Sequence, residues 1–412
     1  MEQGSNRNEE FVVLISSEIS SDESSNRSSP SNDASETSFL KKRKNLFCSG
    51  VFLRGMAHAV GFWNPSKGLH VIMAIVVLFV DICYVFKAVY YAFLCGHYDT
   101  SFDRWMCRNG SQNSSSTHNI PVLAFLPGVE LNSILSLVTC LAGLMSNAAF
   151  FWCMWNSTMK RHTANCVTLE QAYSTAGRSF WTTLNCTMLL FGLALMIGIV
   201  WINLTFKGIS IDKLVVSLRI IPMLAILTSC YIFSLITNAM KDCVTSCFAE
   251  IRNSINSSLD DIIRIHKHLC EQLFCTSNSL KLWFLIHWFL LAVAAVVYVA
   301  DMVGYYQTLG AGCFVLTKVS STVILLYAFI YPSYCAASVT ARCNQMLKEI
   351  NITSNEEWDS GHPFRSRAQL ALFIQYAQYT DCGFRAGGVT FGSNFAWFST
   401  LIAMCGIGVK VL

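Results

Sequence analysis

Seven stretches of this chain are apolar in near-continuous runs: Leu69–Cys95, Leu131–Trp155, Thr183–Phe206, Leu214–Met240, Leu282–Tyr305, Ala311–Val339 and Phe391–Val409. A bilayer core is crossed by about 20 largely apolar residues wound as one helix. A water-soluble chain of 412 residues would need far more charge to cover these runs, yet only 13% of residues are charged and 53% are apolar. Soluble domains carry about a quarter charged residues, and the mean hydropathy here is +0.44. A membrane β-barrel is excluded because its strands alternate rather than run continuously apolar. The first apolar run begins near Leu69, too late and too long for a cleavable leader. The fold class expected is an all-α membrane protein with seven transmembrane helices.

Basic residues set the orientation, because Lys and Arg accumulate on the cytoplasmic side. The flanks and loops on the side of residues 41–68 hold nineteen of them, including Lys41–Lys44, Lys160, Arg161, Arg342 and Arg385; the other side holds only Arg104, Arg108, Lys207, Lys213 and Lys410. The N-terminus is therefore expected in the cytoplasm and the C-terminus outside, at the plasma membrane. The sequons at Asn109 and Asn113 fall in the first outer loop, which fits glycosylation. Cys95 and Cys107 share that loop, either as a disulfide or as free thiols.

Residues 1–40 carry eight acids, two bases and eleven serines between Ser16 and Ser38. Such a segment buries too little to fold, so residues 1–46 are expected to form a disordered cytoplasmic tail and 47–412 the membrane domain. The +4 net charge is small and by itself says nothing about nucleic acid, and no nucleic-acid partner is expected. Between the fourth and fifth spans, Val244, Phe248, Ile251, Ile255, Leu259, Ile262, Leu269 and Leu273 recur at helical spacing, with His266 filling the gap. Residues 241–281 thus extend the fourth span into the cytosol and return. Residues 340–388 repeat the pattern: Cys343, Met346 and Ile350 prolong the sixth span, and Pro363 starts a helix carrying Leu370, Phe373, Ile374 and Ala377. Gly387-Gly388 breaks that helix before the last span. Four amphipathic segments need one another's apolar stripes, which predicts a compact intracellular bundle.

No hydrolase, phosphate-loop, metalloprotease or dinucleotide motif is present, so neither an enzyme nor a cofactor is expected. Cys243, Cys247, His266 and Cys270 have a spacing that zinc accepts. They border the apolar stripe, however, and the sequence favours packing there and no metal. Ionisable residues within spans usually face a cavity or one another. Lys87, Glu130, Arg219, Asp301 and Lys318 all fall in the outer half of the membrane, with Asp81 nearer the middle. With Tyr298 and Tyr305 they are the candidate walls of a small-molecule pocket; snorkelling and structural ion pairs are the plainer alternative. In the last span, Ser393, Thr400, Ala403, Met404 and Ile407 follow one small, mildly polar face, which suits either a pore wall or tight packing.

Seven spans, extended inner helices, a break just before the final span and the stretch Ser399-Thr400-Leu401-Ile402-Ala403-Met404-Cys405-Gly406-Ile407 together resemble the insect gustatory and odorant receptor superfamily, nearest to its gustatory-receptor-like branch. The family's final span usually reads Thr-Tyr, five hydrophobics, Gln-Phe; here Thr400 and the apolar run are retained, the Tyr and Gln-Phe are not. The likeness covers residues 47–412. It implies a homotetrameric, ligand-gated, nonselective cation channel, with the seventh span of each subunit lining a central pore. It further implies a cytosolic anchor domain and a ligand pocket in the outer half of each subunit. The rivals are a secondary transporter, which would show internal repeats, and a G-protein-coupled receptor, which would need the N-terminus outside and an Asp-Arg-Tyr that the third span lacks.

Overall fold

The computed structural model describes residues 68–90, 131–159, 220–254, 258–308, 313–352, 358 and 362–411. Within them, side chains are described except at 131–136, 157–159, 220, 300–308, 313–321, 403 and 406–411. The expected third span, the tail, Asn109, Asn113, Glu130, Arg219, Cys95 and Cys107 lie outside the described residues.

Among the described residues, seven helices and one small hairpin are formed: α1 (Gly68–Val89), α2 (Leu131–Met159), α3 (Ile220–Asn253), α4 (Leu259–Thr308), α5 (Cys313–Asn351), α6 (Arg367–Tyr379), β1 (Arg385–Ala386), β2 (Val389–Thr390) and α7 (Ser393–Val411). Five of them, α1 to α5, contain segments long and apolar enough to cross a membrane. At 1.5 Å per residue, the 34, 50 and 39 residues of α3, α4 and α5 extend about 50, 75 and 58 Å. A hydrocarbon core is about 30 Å thick, so all three project well beyond it. The spans read as continuing into inner extensions are indeed single continuous helices.

Burial is inverted relative to a soluble protein. On α1, Leu69, Ile72, Ile75, Phe79 and Phe86 are exposed, whereas Ser146, Asn147, Ser229, Ser234, Thr237 and Ser333 are buried between helices. Lipid rewards that arrangement: apolar side chains lose nothing by facing it, while polar groups must be satisfied inside. Several hydroxyls donate back to their own helix, as Thr228 Oγ1 does to Leu224 O at 2.7 Å and Ser229 Oγ to Ile226 O at 2.8 Å.

Where α3, α4 and α5 project, the predicted stripe is the core. Val244, Phe248, Ile251, Ile262, His266, Leu269 and Leu273 are all buried, and they pack with Cys343, Leu370, Phe373 and Ala377 from α5 and α6. The start of α6 differs from expectation. Ser366 caps it by accepting from Gln369 N, so the helix begins at Arg367. A side-chain cap satisfies an amide that Pro363 has no means to satisfy.

Gly387-Gly388 does not break α6, which ends at Tyr379 with Thr380 as its C-cap; the pair instead forms a hairpin turn between β1 and β2. Both glycines have positive φ, 61° and 82°, the geometry of a two-residue turn that suits strand twist. Arg385 pairs with Thr390 and Ala386 with Val389, and Phe391 N donates to Phe384 O at 3.0 Å. Phe384 and Phe391 thereby enter an aromatic cluster with Phe284 and Phe395, which sets where α7 starts. At Gly383 a Cβ would run into the side chain of Thr340, whose Oγ1 accepts from Phe384 N at 3.2 Å. Gly383→Ala is expected to destabilise the purified protein by about 1–3 kcal/mol, from overpacking, read as a fall in thermal unfolding midpoint.

Candidate functional site

Helix α4 is the common partner: it packs on α2, α3, α5, α6, β1 and α7. Three features along it define the candidate site.

The first is a small, partly open cavity of about 50 Å³ between α1 to α5, lined by Asp81, Tyr84, Gly143, Met223, Tyr298 and Leu325 among others. Ligand sites usually enclose about 300–1,000 Å³, so admitting a ligand requires these walls to part. Asp81 is its carboxylate. It is 3% exposed and accepts from Asn147 Nδ2 at 2.9 Å, an amide that also reaches Pro222 O at 3.4 Å. Among the described residues no cation pairs with it. Gly143 lies beside it, where a Cβ would meet Asp81 Oδ1 at an ordinary contact distance of 3.7 Å.

The second is a lock at mid-helix. Pro332 lies inside α5 and has no N–H to give the carbonyl four residues back, that of Ala328. His287 Nε2 lies 2.9 Å from Ala328 O. A carbonyl only accepts, so Nε2 carries the proton, and in the neutral ring Nδ1 accepts from Ser146 Oγ at 2.7 Å. The ring also stacks on Trp283 at 4.6 Å and touches Cys230 Sγ at 3.6 Å. One buried imidazole thus ties α2, α3, α4 and α5 together.

The third joins α4 to the last helix. Trp288 Nε1 donates to Ser399 Oγ at 2.9 Å, and its ring packs on Phe395 at 5.1 Å. Phe395, Ser399 and Ile402 form the inner face of α7, with Phe391 packed just before its start. The opposite face, where helical spacing puts Ser393, Thr400 and Met404, turns away from the chain's own bundle: Ser393 is exposed, Thr400 half-buried, and Met404 57% exposed.

Of the sequence-selected pocket residues, Tyr298 lines the cavity. Lys87 is half-buried two turns along α1 from Asp81 and is not among the lining residues. Asp301 and Tyr305 continue α4 beyond Tyr298, and Lys318 lies near the start of α5; their side chains, like those of Ala403 and Ile407, are outside the described set. Sequence reasoning missed Asn147, His287 and Trp288, and noted Asp81 without placing it among the pocket walls. Asp81 carried the signal, a lone acid in an apolar run. His287 carried a weaker one, since Pro332 implied an orphaned carbonyl somewhere.

No protein-family model matches the sequence, and comparison with curated proteins finds no relative. Solved structures do match. The insect olfactory receptor OR5 from Machilis hrabei, in complex with eugenol, superposes with a TM-score of 0.52 at 12% identity, covering 90% of this chain and 98% of that one. A second structure of OR5 gives the same values. This chain has the insect olfactory receptor fold. The expected likeness to the odorant and gustatory receptor superfamily is thereby supported at the level of architecture, and the chain is a multi-pass helical membrane protein. Its structural neighbours are receptors, which fits the non-enzyme expectation.

Proposed function

We propose that this protein is a ligand-gated, nonselective cation channel of the gustatory-receptor-like type. It acts as a homotetramer in the plasma membrane, with the N-terminus cytoplasmic and the C-terminus outside. The observation that carries this reading is the shared helix: α4 supplies Leu291 and Tyr298 to the cavity and, through Trp288, holds α7. A ligand that wedges the cavity open must shift α4, and a shift of α4 moves α7. The face of α7 holding Ser393, Thr400, Ala403, Met404 and Ile407 lines the central pore, formed once by each of four copies. Ligands bind whichever state they fit better, so opening is a population shift rather than a push.

OR5 is described as binding eugenol; here the ligand is a small, mostly apolar molecule with one polar group. Apolar walls supply the burial, and Asp81 supplies the polar contact. Lys87, Glu130, Arg219, Asp301, Tyr305 and Lys318 border the route in from the outer face, and Asn109 and Asn113 carry glycans there. Permeant cations and lipid are the other partners. No cofactor takes part.

Calcium imaging of cells expressing the full chain, against a panel of small amphipathic compounds, tests this. Unitary currents from the purified protein in liposomes are expected, and native mass in mild detergent should report four chains. Asp81→Asn is expected to weaken responses to amine-bearing agonists about tenfold or more, the cost of losing a buried charge-assisted contact. Neutral agonists should be less affected. Transport without discrete currents would replace the channel with a carrier.

A further inference from the structure

Where α3, α4 and α5 project beyond the membrane-crossing segments, soft ligand groups from separate elements converge. His266 and Cys270 stand one turn apart on α4, facing the turn after α6 that carries Cys382. One ligand atom from each, an imidazole nitrogen and two sulfurs, lies within 4.8 Å of the other two. Cys270 Sγ is 3.7 Å from His266 Nδ1, and Cys343 of α5 brings a further sulfur 3.2 Å from Cys382 Sγ. Tetrahedral zinc, with Zn–S of about 2.3 Å and Zn–N of about 2.0 Å, separates its ligands by roughly 3.5–3.8 Å. His266, Cys270 and Cys382 need only small adjustments, while Cys343 Sγ, outside that 4.8 Å group, has further to swing from its place beside Cys382. We propose that His266, Cys270 and Cys382 bind a zinc ion, with Cys343 completing the tetrahedron.

Three observations separate this from ordinary packing of buried thiols. His266 is fully buried, boxed by the rings of Phe248, Phe373 and Tyr376. Among the described residues, its hydrogen-bonding partner is the Cys270 thiol, a weak one. An imidazole so enclosed is costly unless a stronger partner meets it. Next, the backbone is bent to deliver Cys382: Asp381 before it has a φ of 47°, and Gly383 after it leaves no space for a Cβ against Thr340. Finally, there is a way in. An open groove lined by Cys270, Glu271, Thr380 and Asp381 reaches the cluster, although both acids there are ion-paired, with Lys267 and Arg385.

Soft thiolates with imidazole select zinc over the hard cations. The sequence had set Cys243 and Cys247 beside His266 and Cys270. In the fold, Cys247 Sγ instead points to Ile265 O at 4.0 Å, and Cys382 and Cys343 take the facing positions. A metal there would tie α4 and α5 to the turn that leads into the hairpin and α7, so the support of the last helix would depend on it. Because the cluster is remote from the cavity and from the outer face of α7, its test does not depend on the channel reading.

The full-length protein is purified in mild detergent with reductant and no added metal, and its zinc is measured by plasma mass spectrometry. About one zinc per chain is expected, as for a closed structural site. Cobalt exchange should give thiolate charge-transfer and tetrahedral d–d bands. A strong chelator should lower the thermal midpoint, and zinc should restore it. Cys382→Ser should lose the metal, His266→Cys should retain it, and Cys243→Ser should match the parent. A wild-type chain that is metal-free and takes up cobalt without thiolate bands overturns the proposal. So does recovery of Cys343 and Cys382 as a disulfide from that chain. Both readings use the unmutated protein, so misfolding of a variant leaves the test intact.

Discussion

Replacing His287 by alanine is expected to destabilise the protein by about 3 kcal/mol, the sum of a buried carbonyl left with only the weak Cys230 thiol and a partly collapsed cavity. The carbonyl concerned, that of Ala328, lost its helical partner to Pro332 and holds the imidazole instead. That origin makes a sharper test than the single variant. Pro332→Ala returns an N–H to the helix ladder, so it should recover about 1 kcal/mol or more in the His287→Ala background and little in the parent. Thermal midpoints of all four proteins in one detergent give the coupling. If the two changes simply add, the imidazole is not there for the proline's carbonyl.

Trp288→Ala should abolish ligand-evoked current while leaving delivery to the cell surface measurable. The indole joins α4 to α7 by a hydrogen bond to Ser399 and by packing on Phe395, and truncating a large aromatic of this kind costs about 3–5 kcal/mol. Trp288→Phe keeps most of the packing and removes only the N–H. It should shift the agonist response modestly, and Ser399→Ala should shift it in the same direction. Since both delete one bond, the double variant should behave like either single. Surface biotinylation beside whole-cell recording separates lost coupling from lost protein. Normal agonist responses in Trp288→Ala would mean that α7 moves without α4.

The helices were legible because lipid imposes one rule along the whole chain: about twenty apolar residues must appear wherever it is crossed. The projecting stripe was legible for a related reason. Val244, Phe248, Ile251, Ile262, Leu269 and Leu273 repeat at helical spacing regardless of what covers them, and each is buried. The hairpin was not legible. Two two-residue strands have no periodicity to read, and Gly387-Gly388 announces a break without its form. The cavity was half legible. Tyr298 stands out as an aromatic with a polar tip, but Asp81 reads only as an acid nearer the middle, since depth along one helix does not say which neighbours surround it.

By itself, then, the order of residues determined that the chain enters a membrane as helices, which of those helices outrun it, and which faces they must bury. These follow from local spacing and from transfer free energy, both properties of a single segment. Only the tertiary structure decided that His287 answers Pro332, that Trp288 reaches Ser399, and that Cys382 rather than Cys247 faces His266. Each of those partners lies tens of residues or more away, and a hydrogen bond or a ligand set depends on ångström distances that no one-dimensional pattern encodes.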